Sequence, residues 1–311
     1  MNDIDSSKAR QQRIGTHLCG RCAGGCGASF QPSRRLFGSA VVAAGLGGVA
    51  AGTPAWAREG VEVGSKSWAA GLVAAEELEQ AADQQYRQML SQAAAQKALA
   101  PASNLQVIRL RAIAARLIPF SYEWNERGRQ WKWEVNLIGS KQINAFCMPG
   151  GKIAFYTGIL DQLKLTDDEV ATVMGHEIAH ALREHARARV GKTAATQGAI
   201  ELGAALLGLG SGGRLVADMG GKLLTLRFGR EDESEADLVG MELAARAGYD
   251  PAAGVTLWQK MAVANKGAPP QWLSTHPAGT TRIADIQGSL PQVLPLYQKA
   301  PKPTQRYDRA S

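Results

Sequence analysis

Apolar residues recur at helical spacing through most of the chain, with one short region where the period drops to two. Residues 67–98 are rich in Ala, Glu, Gln and Leu, without Pro and, after Gly71, without Gly. They predict one long helix with Trp68, Leu72, Tyr86 and Leu90 among its apolar positions. Residues 104–118 repeat the pattern and are expected to stop at Pro119. From 131 to 137 the period changes: Trp131, Trp133, Val135 and Leu137 alternate with Lys132, Glu134 and Asn136, the signature of a half-buried strand. Residues 142–148 and 152–156 flank Pro149-Gly150-Gly151 and predict two further strands joined by a tight turn. Thr166 opens the next helix, with Glu169 to close a capping box and Asp167 and Asp168 placed where the helix dipole favours acids. That helix is expected to reach Val190. The Gly-rich apolar stretch 198–213 reads first as a buried helical hairpin, with a mobile flap or a lipid-facing surface as alternatives. Helical segments are predicted at 214–228 and 231–247, the latter ending at Gly248, and another starts at Asp250-Pro251 and carries Leu257, Trp258 and Met261.

Composition narrows the class. The chain has 311 residues, 45% hydrophobic and 20% charged, which excludes a disordered chain and fits one or two domains. Low aromatic content, 6%, with 35 Gly favours a helical protein built from small residues. A net charge of +7 would invite nucleic acid, but more than half of that excess comes from the first 57 positions (Lys8, Arg10, Arg13, Arg21, Arg34 and Arg35 against Asp3 and Asp5). The rest carries no basic run, and no nucleic-acid partner is expected.

From Ser33 the sequence reads SRRLFGSAVVAAGLGGVAAGTPAWA, which resembles a twin-arginine export signal cut after Ala57. Its apolar run is shorter than the roughly 20 residues that span a bilayer, so cleavage is expected, with an uncleaved anchor as the alternative. The expected location is therefore exported, periplasmic or cell envelope, with membrane proximity through the N-terminus or residues 198–213. Cys19, Cys22 and Cys26 beside His17 have spacings zinc can use, but they precede the signal and read as part of its long leading region. The mature chain keeps Cys147 alone and can form no internal disulfide.

The chemistry sits in the capped helix, in the run GHEIAH. Four residues rotate a helix by about 400°, so His176 and His180 share a face one turn apart, spaced for one metal ion. Glu177 projects roughly 100° away, where it can act on water without ligating. HExxH is the zinc-hydrolase signature: two neutral imidazoles, an open position and a carboxylate base. A third ligand is needed downstream, where EDESEADLVG brings Glu233, Glu235 and Asp237 together. Glu233 and Asp237 share a face, so one can bind the ion while the other accepts a ligand imidazole's N–H.

Taken together, GHEIAH and ESEAD resemble the gluzincin metallopeptidases related to the CAAX prenyl endopeptidases, in their soluble, exported bacterial form. NAFCMPGGKIAFYTGIL is similar to that family's edge-strand segment, STHPAGTTRI to its C-terminal STHP element, and AGYDPAAGVTLWQKM to the helix between them. The likeness covers roughly residues 100–290. It implies a predominantly helical α+β, zincin-like domain with a small sheet whose edge strand borders the active-site cleft. It further implies one Zn²⁺ per chain on His176, His180 and Glu233, with Asp237 behind them and Glu177 as general base. Asn144 and Ala145 match the positions that hold an extended polypeptide substrate. His276 can donate to the oxyanion or occupy the ion's fourth position at rest, and Arg282 can fix that loop or share the charge. Cys147 stands where a small apolar residue is expected and is read as packing.

The resulting expectation is an N-terminal extension and signal (1–57), an N-terminal helix (58–99), a zinc metallopeptidase domain (100–298) and a disordered tail (299–311). Its expected function is endopeptidase action on unfolded or misassembled envelope proteins. CAAX processing itself is not expected, because the members that act on prenylated proteins span the membrane repeatedly. The alternatives are a non-proteolytic zinc-containing binding or assembly factor and a zinc hydrolase acting on something other than peptides.

Overall fold

The computed structural model describes residues 58–206, 223–265, 270–277, 279 and 281–308. The expected signal and cysteine cluster, and residues 207–213 of the hairpin expected at 198–213, lie outside these residues. Among the described residues helices dominate, with one small mixed sheet. The fold is organised around a central helix, α4 (Asp167–Leu182), whose residues are all buried except Asp168. Its start is set by the capping box: Thr166 Oγ1 accepts from the Glu169 amide at 3.3 Å and Glu169 Oε2 accepts from the Thr166 amide at 2.8 Å.

The sheet has three strands, β1 (Glu134–Ile138), β2 (Ala145–Met148) and β3 (Lys152–Tyr156), in the order β1-β3-β2. β1 runs parallel to β3, and β2 antiparallel to it with Phe146 opposite Ala154. Gly150 and Gly151, at φ +84° and +77°, make the turn between β2 and β3, a conformation L side chains resist. Alternation along β2 and β3 feeds two cores. Ala145, Cys147, Ile153 and Phe155 face α4 and α2 (Leu105–Ser121), while Phe146, Met148 and Ala154 face α1 (Ala75–Ala95), where Tyr86 donates its hydroxyl to Ile153 O at 2.6 Å. Both faces are covered, hence the unbroken apolar run in β2.

After the sheet come α3 (Thr157–Leu163), α4, α5 (His185–Leu206), α6 (Arg230–Arg246), α7 (Ala253–Ala264), α8 (Gln271–Thr275) and α9 (Arg282–Lys299). α6 crosses α4 at two glycines. A Cβ on Gly175 would stand 2.7 Å from Gly240 O, and one on Gly240 would stand 2.6 Å from His176 N. This backbone-to-backbone contact sets α6 against the motif-bearing turn of α4.

The elements depart from expectation in five places. The helix expected over 67–98 opens instead with a 3₁₀ turn at Trp68–Leu72 and an extended Val73 before α1 begins. Gly191 of α5 lies directly against Ala69, so the alanines of that turn face inward and Trp68 and Leu72 face solvent. α2 runs past Pro119 to Ser121, since a proline so near the end of a helix removes little of its ladder. The helix expected from Asp167 to Val190 breaks at Glu184, whose φ is +59°. There Asn125 Nδ2 donates to Leu182 O at 3.0 Å, and the Glu184 carboxylate meets Arg187 at 3.1 Å. The described part of 214–228 is a 3₁₀ turn, Leu223–Thr225, followed by chain that is neither helix nor strand. The Phe228 amide is taken by Thr275 O at 3.0 Å, which draws the segment off the helical path.

Lastly, the described part of the tail is tied down. The Tyr307 amide donates to Asp167 Oδ2 at 2.7 Å, Asp308 Oδ2 accepts from the Asp167 amide at 2.9 Å, and Arg306 pairs with Asp168 at 2.8 Å. At the other end, Arg58 pairs with Glu242, whose Oε2 also accepts from the Val61 amide at 2.8 Å, while Arg183 donates to Gly64 O. Among the described residues no helix is long and apolar enough to cross a membrane.

Candidate metal centre and active site

Four of the chain's five histidines meet above the middle of α4. His176 and His180 turn their Nε2 atoms toward one another at 3.0 Å. Glu233, brought in by the α6 crossing, places Oε2 3.7 Å from His176 Nε2 and Oε1 3.4 Å from His180 Nε2. His276, just past α8, completes the group: one donor atom from each of the four residues lies within 4.8 Å of the others, and all four side chains are buried. His276 Nδ1 sits 3.2 Å from Trp272 O and can donate there, which leaves its Nε2 without a proton and turned inward.

Glu233 Oε1 and His276 Nε2 are buried without hydrogen-bond partners. Orphaned acceptors converging on one point are costly unless a cation completes them, and two or three imidazoles with one carboxylate are a donor set that zinc takes. The residues therefore fit a divalent ion of this type. Burial draws His176 down to about 4 against the pull of Asp237, and holds His180 and His276 well below the usual histidine range. All three imidazoles are thus neutral near pH 7, the form that ligates. Burial likewise pushes Glu233 up to about 8 despite Arg282.

Around these atoms stand their supports. His176 Nδ1 meets Asp237 Oδ1 at 3.0 Å. Arg282, at the start of α9, bonds Asp237 Oδ1 at 2.7 Å and Glu233 Oε2 at 2.6 Å, so Glu233 Oε1 remains for an ion. Burial alone would raise Asp237, but Arg282 and His176 together hold it below the usual carboxylate range. The Arg282 guanidinium also lies 3.7 Å over the ring of Trp258. Of the two uses expected for Arg282, its contacts are with the acids of α6.

Glu177 is 2% exposed and accepts the indole N–H of Trp272. Burial pushes its carboxyl well above the usual range, against that hydrogen bond. A crevice beside it is lined by Asn144, Ala145 and Cys147 on one side and His180, Phe228 and His276 on the other. Asn144 Oδ1 takes its neighbour Ala145's amide at 3.0 Å, and Asn144 O takes the Tyr156 amide at 3.1 Å.

Thus the catalytic, metal-ligating, supporting and substrate-binding residues expected within 100–298 all lie in this one region. Sequence reasoning missed Trp272, Phe228, which stacks on His180 at 4.0 Å, and His185, whose Nδ1 is 2.9 Å from His180 Nδ1. Of these only His185 left a signal, being one of so few histidines and five residues beyond His180.

Comparison with known proteins bears on the same residues. The sequence pattern of peptidase family M48 matches residues 104–290, a span that contains all the donors. The chain belongs to peptidase family M48. This M48 chain is 39% identical over 154 residues to the mitochondrial metalloendopeptidase OMA1 of Arabidopsis thaliana, covering 48% of this chain and 30% of that protein. It is 31% identical over 193 residues to the metalloprotease LoiP of Escherichia coli, covering 61% and 72% respectively. With the β-barrel assembly-enhancing protease of the same bacterium it shares 31% over 170 residues, 51% of this chain and 35% of that protein. The M48 chain thus spans less than half the length of OMA1 from Arabidopsis or, at 48%, from Schizosaccharomyces pombe. Relatives named as metalloproteases imply a divalent metal, usually zinc, which the donor set accommodates.

Proposed function

We propose that this M48 chain is a zinc-dependent endopeptidase, its ion held by His176, His180 and Glu233 and its general base Glu177. The observation that carries the reading is the convergence of four buried donor residues within 4.8 Å, Glu233 Oε1 and His276 Nε2 among them without partners, directly beside Glu177. When bound, zinc acts as a Lewis acid toward the scissile carbonyl and lowers the pKa of water toward about 7. Glu177 takes the proton of the attacking water and passes it to the leaving amine. Its raised proton affinity and the fixed orientation from Trp272 suit both transfers. His276 contributes a fourth donor in the observed arrangement, whereas a catalytic site keeps one position open. We read this arrangement as the resting one, with His276 moving off to donate to the tetrahedral oxyanion.

A peptide would lie extended along β2. Asn144 O accepts from Tyr156 N, so in the antiparallel pattern the next outward-facing backbone groups are those of Ala145 and, two residues on, Cys147. Backbone pairing there would bring a substrate bond to Glu177, with the Asn144 side chain ordering the entry. This puts Cys147's backbone in the substrate groove beside Ala145, while its side chain packs in the core.

Unfolded or misassembled envelope proteins are the proposed substrates, on two supports. One is the export-type N-terminus, and the other is a relative named for enhancing β-barrel assembly. Other relatives are named mitochondrial. The likeness to the CAAX prenyl endopeptidase-like members, in soluble, exported form, belongs to the same proposal. The four-donor arrangement also favours a second reading, a non-proteolytic binding factor, because closed sites are structural ones.

Zinc stoichiometry on the full chain, beside cleavage of unfolded casein, separates the two. Wild type is expected to hold one zinc per chain and cut casein. Glu177→Gln should keep the metal and lose about 10²–10⁴-fold in turnover, and Glu233→Ala should lose metal. Zinc with no cleavage by wild type would favour the binding factor, and absence of zinc would sink both readings.

A further inference from the structure

We infer that His185 and Glu235 are positioning residues for the metal centre, acting through His180. The inference rests on the metal-site reading above and adds residues that reading does not use. His180 Nε2 faces the donor cluster, 3.0 Å from His176 Nε2 and 3.4 Å from Glu233 Oε1. An ion there takes the Nε2 lone pair, so the hydrogen of the neutral ring sits on Nδ1. That Nδ1 lies 2.9 Å from His185 Nδ1, which must therefore accept. A neutral His185 then carries its own hydrogen on Nε2, 3.2 Å from Glu235 Oε2, and this carboxylate is held in turn by Arg183 Nε at 2.8 Å. Each assignment forces the next, and the series ends on a carboxylate that can only accept.

The two helix-borne ligands are thereby supported in parallel. His176 leans directly on Asp237, which Arg282 holds. His180 leans on a carboxylate held by Arg183, with His185 interposed to bridge the gap. Both carboxylates come from α6, which also supplies the ligand Glu233. The interposed ring is available because the chain breaks at Glu184, with φ +59°, and turns His185 back toward the helix it has just left. His185 is 4% exposed. Outer partners of this kind set the tautomer and orientation of a ligand imidazole, and their loss typically weakens metal binding by about 10–100-fold.

The test is zinc affinity of the full chain, by competition with a chromophoric chelator, together with melting of the metal-free proteins. His185→Leu should loosen zinc about 10–100-fold. His185→Asn, whose Oδ1 can stand where Nδ1 stood and accept from His180, should stay within about threefold of wild type. Glu235→Gln, which keeps its shape but loses its charge, should loosen zinc by an intermediate factor. The metal-free variants should melt with the wild type, a readout that a purely structural role would move. Zinc binding unchanged in His185→Leu, or equally weakened in the Leu and Asn variants, would overturn the inference, as would an unchanged Glu235→Gln for its outer half. A wild type that binds no zinc fails the metal-site reading itself, and is distinguished from these outcomes because it needs no variant.

Discussion

The indole of Trp272 donates to the buried Glu177 carboxylate, while the ring stacks on His276 at 5.1 Å and on Trp258 at 5.3 Å. Trp272→Phe keeps the stack and removes the N–H. A hydrogen bond to a charged group is worth about 1.5–3 kcal/mol, so kcat is expected to fall about tenfold or more with KM little changed and one zinc retained. Steady-state kinetics beside metal analysis would show it, and an unchanged kcat would mean the indole only packs. His176 supplies a second residue-level prediction, for the metal-free protein. Burial lowers its pKa to about 4 from the ordinary 6.5. As acid is added the unfolded chain therefore takes up the proton first. The contribution is intact above pH 6.5 and is lost as pH falls from there to about 4, about 3 kcal/mol in all. Urea unfolding of chelator-treated protein on either side of that window should show the loss, and stability flat through it would place the His176 proton elsewhere.

At the scale of elements, the site depends on how closely α6 approaches α4. Gly240→Ala would press a methyl against the His176 backbone. The helices must then separate, at a cost of about 1–3 kcal/mol, and Glu233 withdraws from the two imidazoles. Lower stability together with weaker zinc binding is expected, and lower stability with unaltered zinc binding would show that the crossing does not position the ligand. The same scale explains what could be read beforehand. His176, Glu177 and His180 needed only the period of one helix, and the capping box announced where that helix starts. β1 and β3 were legible because alternation and the Gly150-Gly151 turn are local signals. The break at Glu184 was not, since a glutamate at positive φ has no signature in sequence, and with the break went the role of His185. Phe228 was hidden for a related reason: its amide is taken by Thr275, 47 residues further on, which no local pattern of apolar residues can report.

For the whole molecule, the polar framework of α4 is closed by its most distant partners. Asp167 is held by Arg109 at 2.7 Å and by the Tyr307 amide, and Asp168 by Arg306 and the Asp250 amide. Deleting residues 300–311 removes the Tyr307 and Arg306 contacts from the first turn of α4. The expected loss is about 2 kcal/mol, or a fall of about 5 °C in Tm. A thermal melt in which the truncated protein matched the full chain would show the tail to be dispensable.

The N-terminal strap carries a consequence for biogenesis. Arg58 reaches Glu242 across 184 residues of sequence, and the candidate metal-binding group runs from His176 to His276. During synthesis residues 58–64 emerge before α6 and must wait for it before they are held. By then two imidazoles and Glu233 are present, but Arg282 and His276 are not. Until those follow, a growing chain has neither the clamp on its acids nor its fourth donor. The finished centre can therefore assemble only after His276 and Arg282 have been made, so a ribosome-bound fragment that stops short of them carries the motif without a completed site.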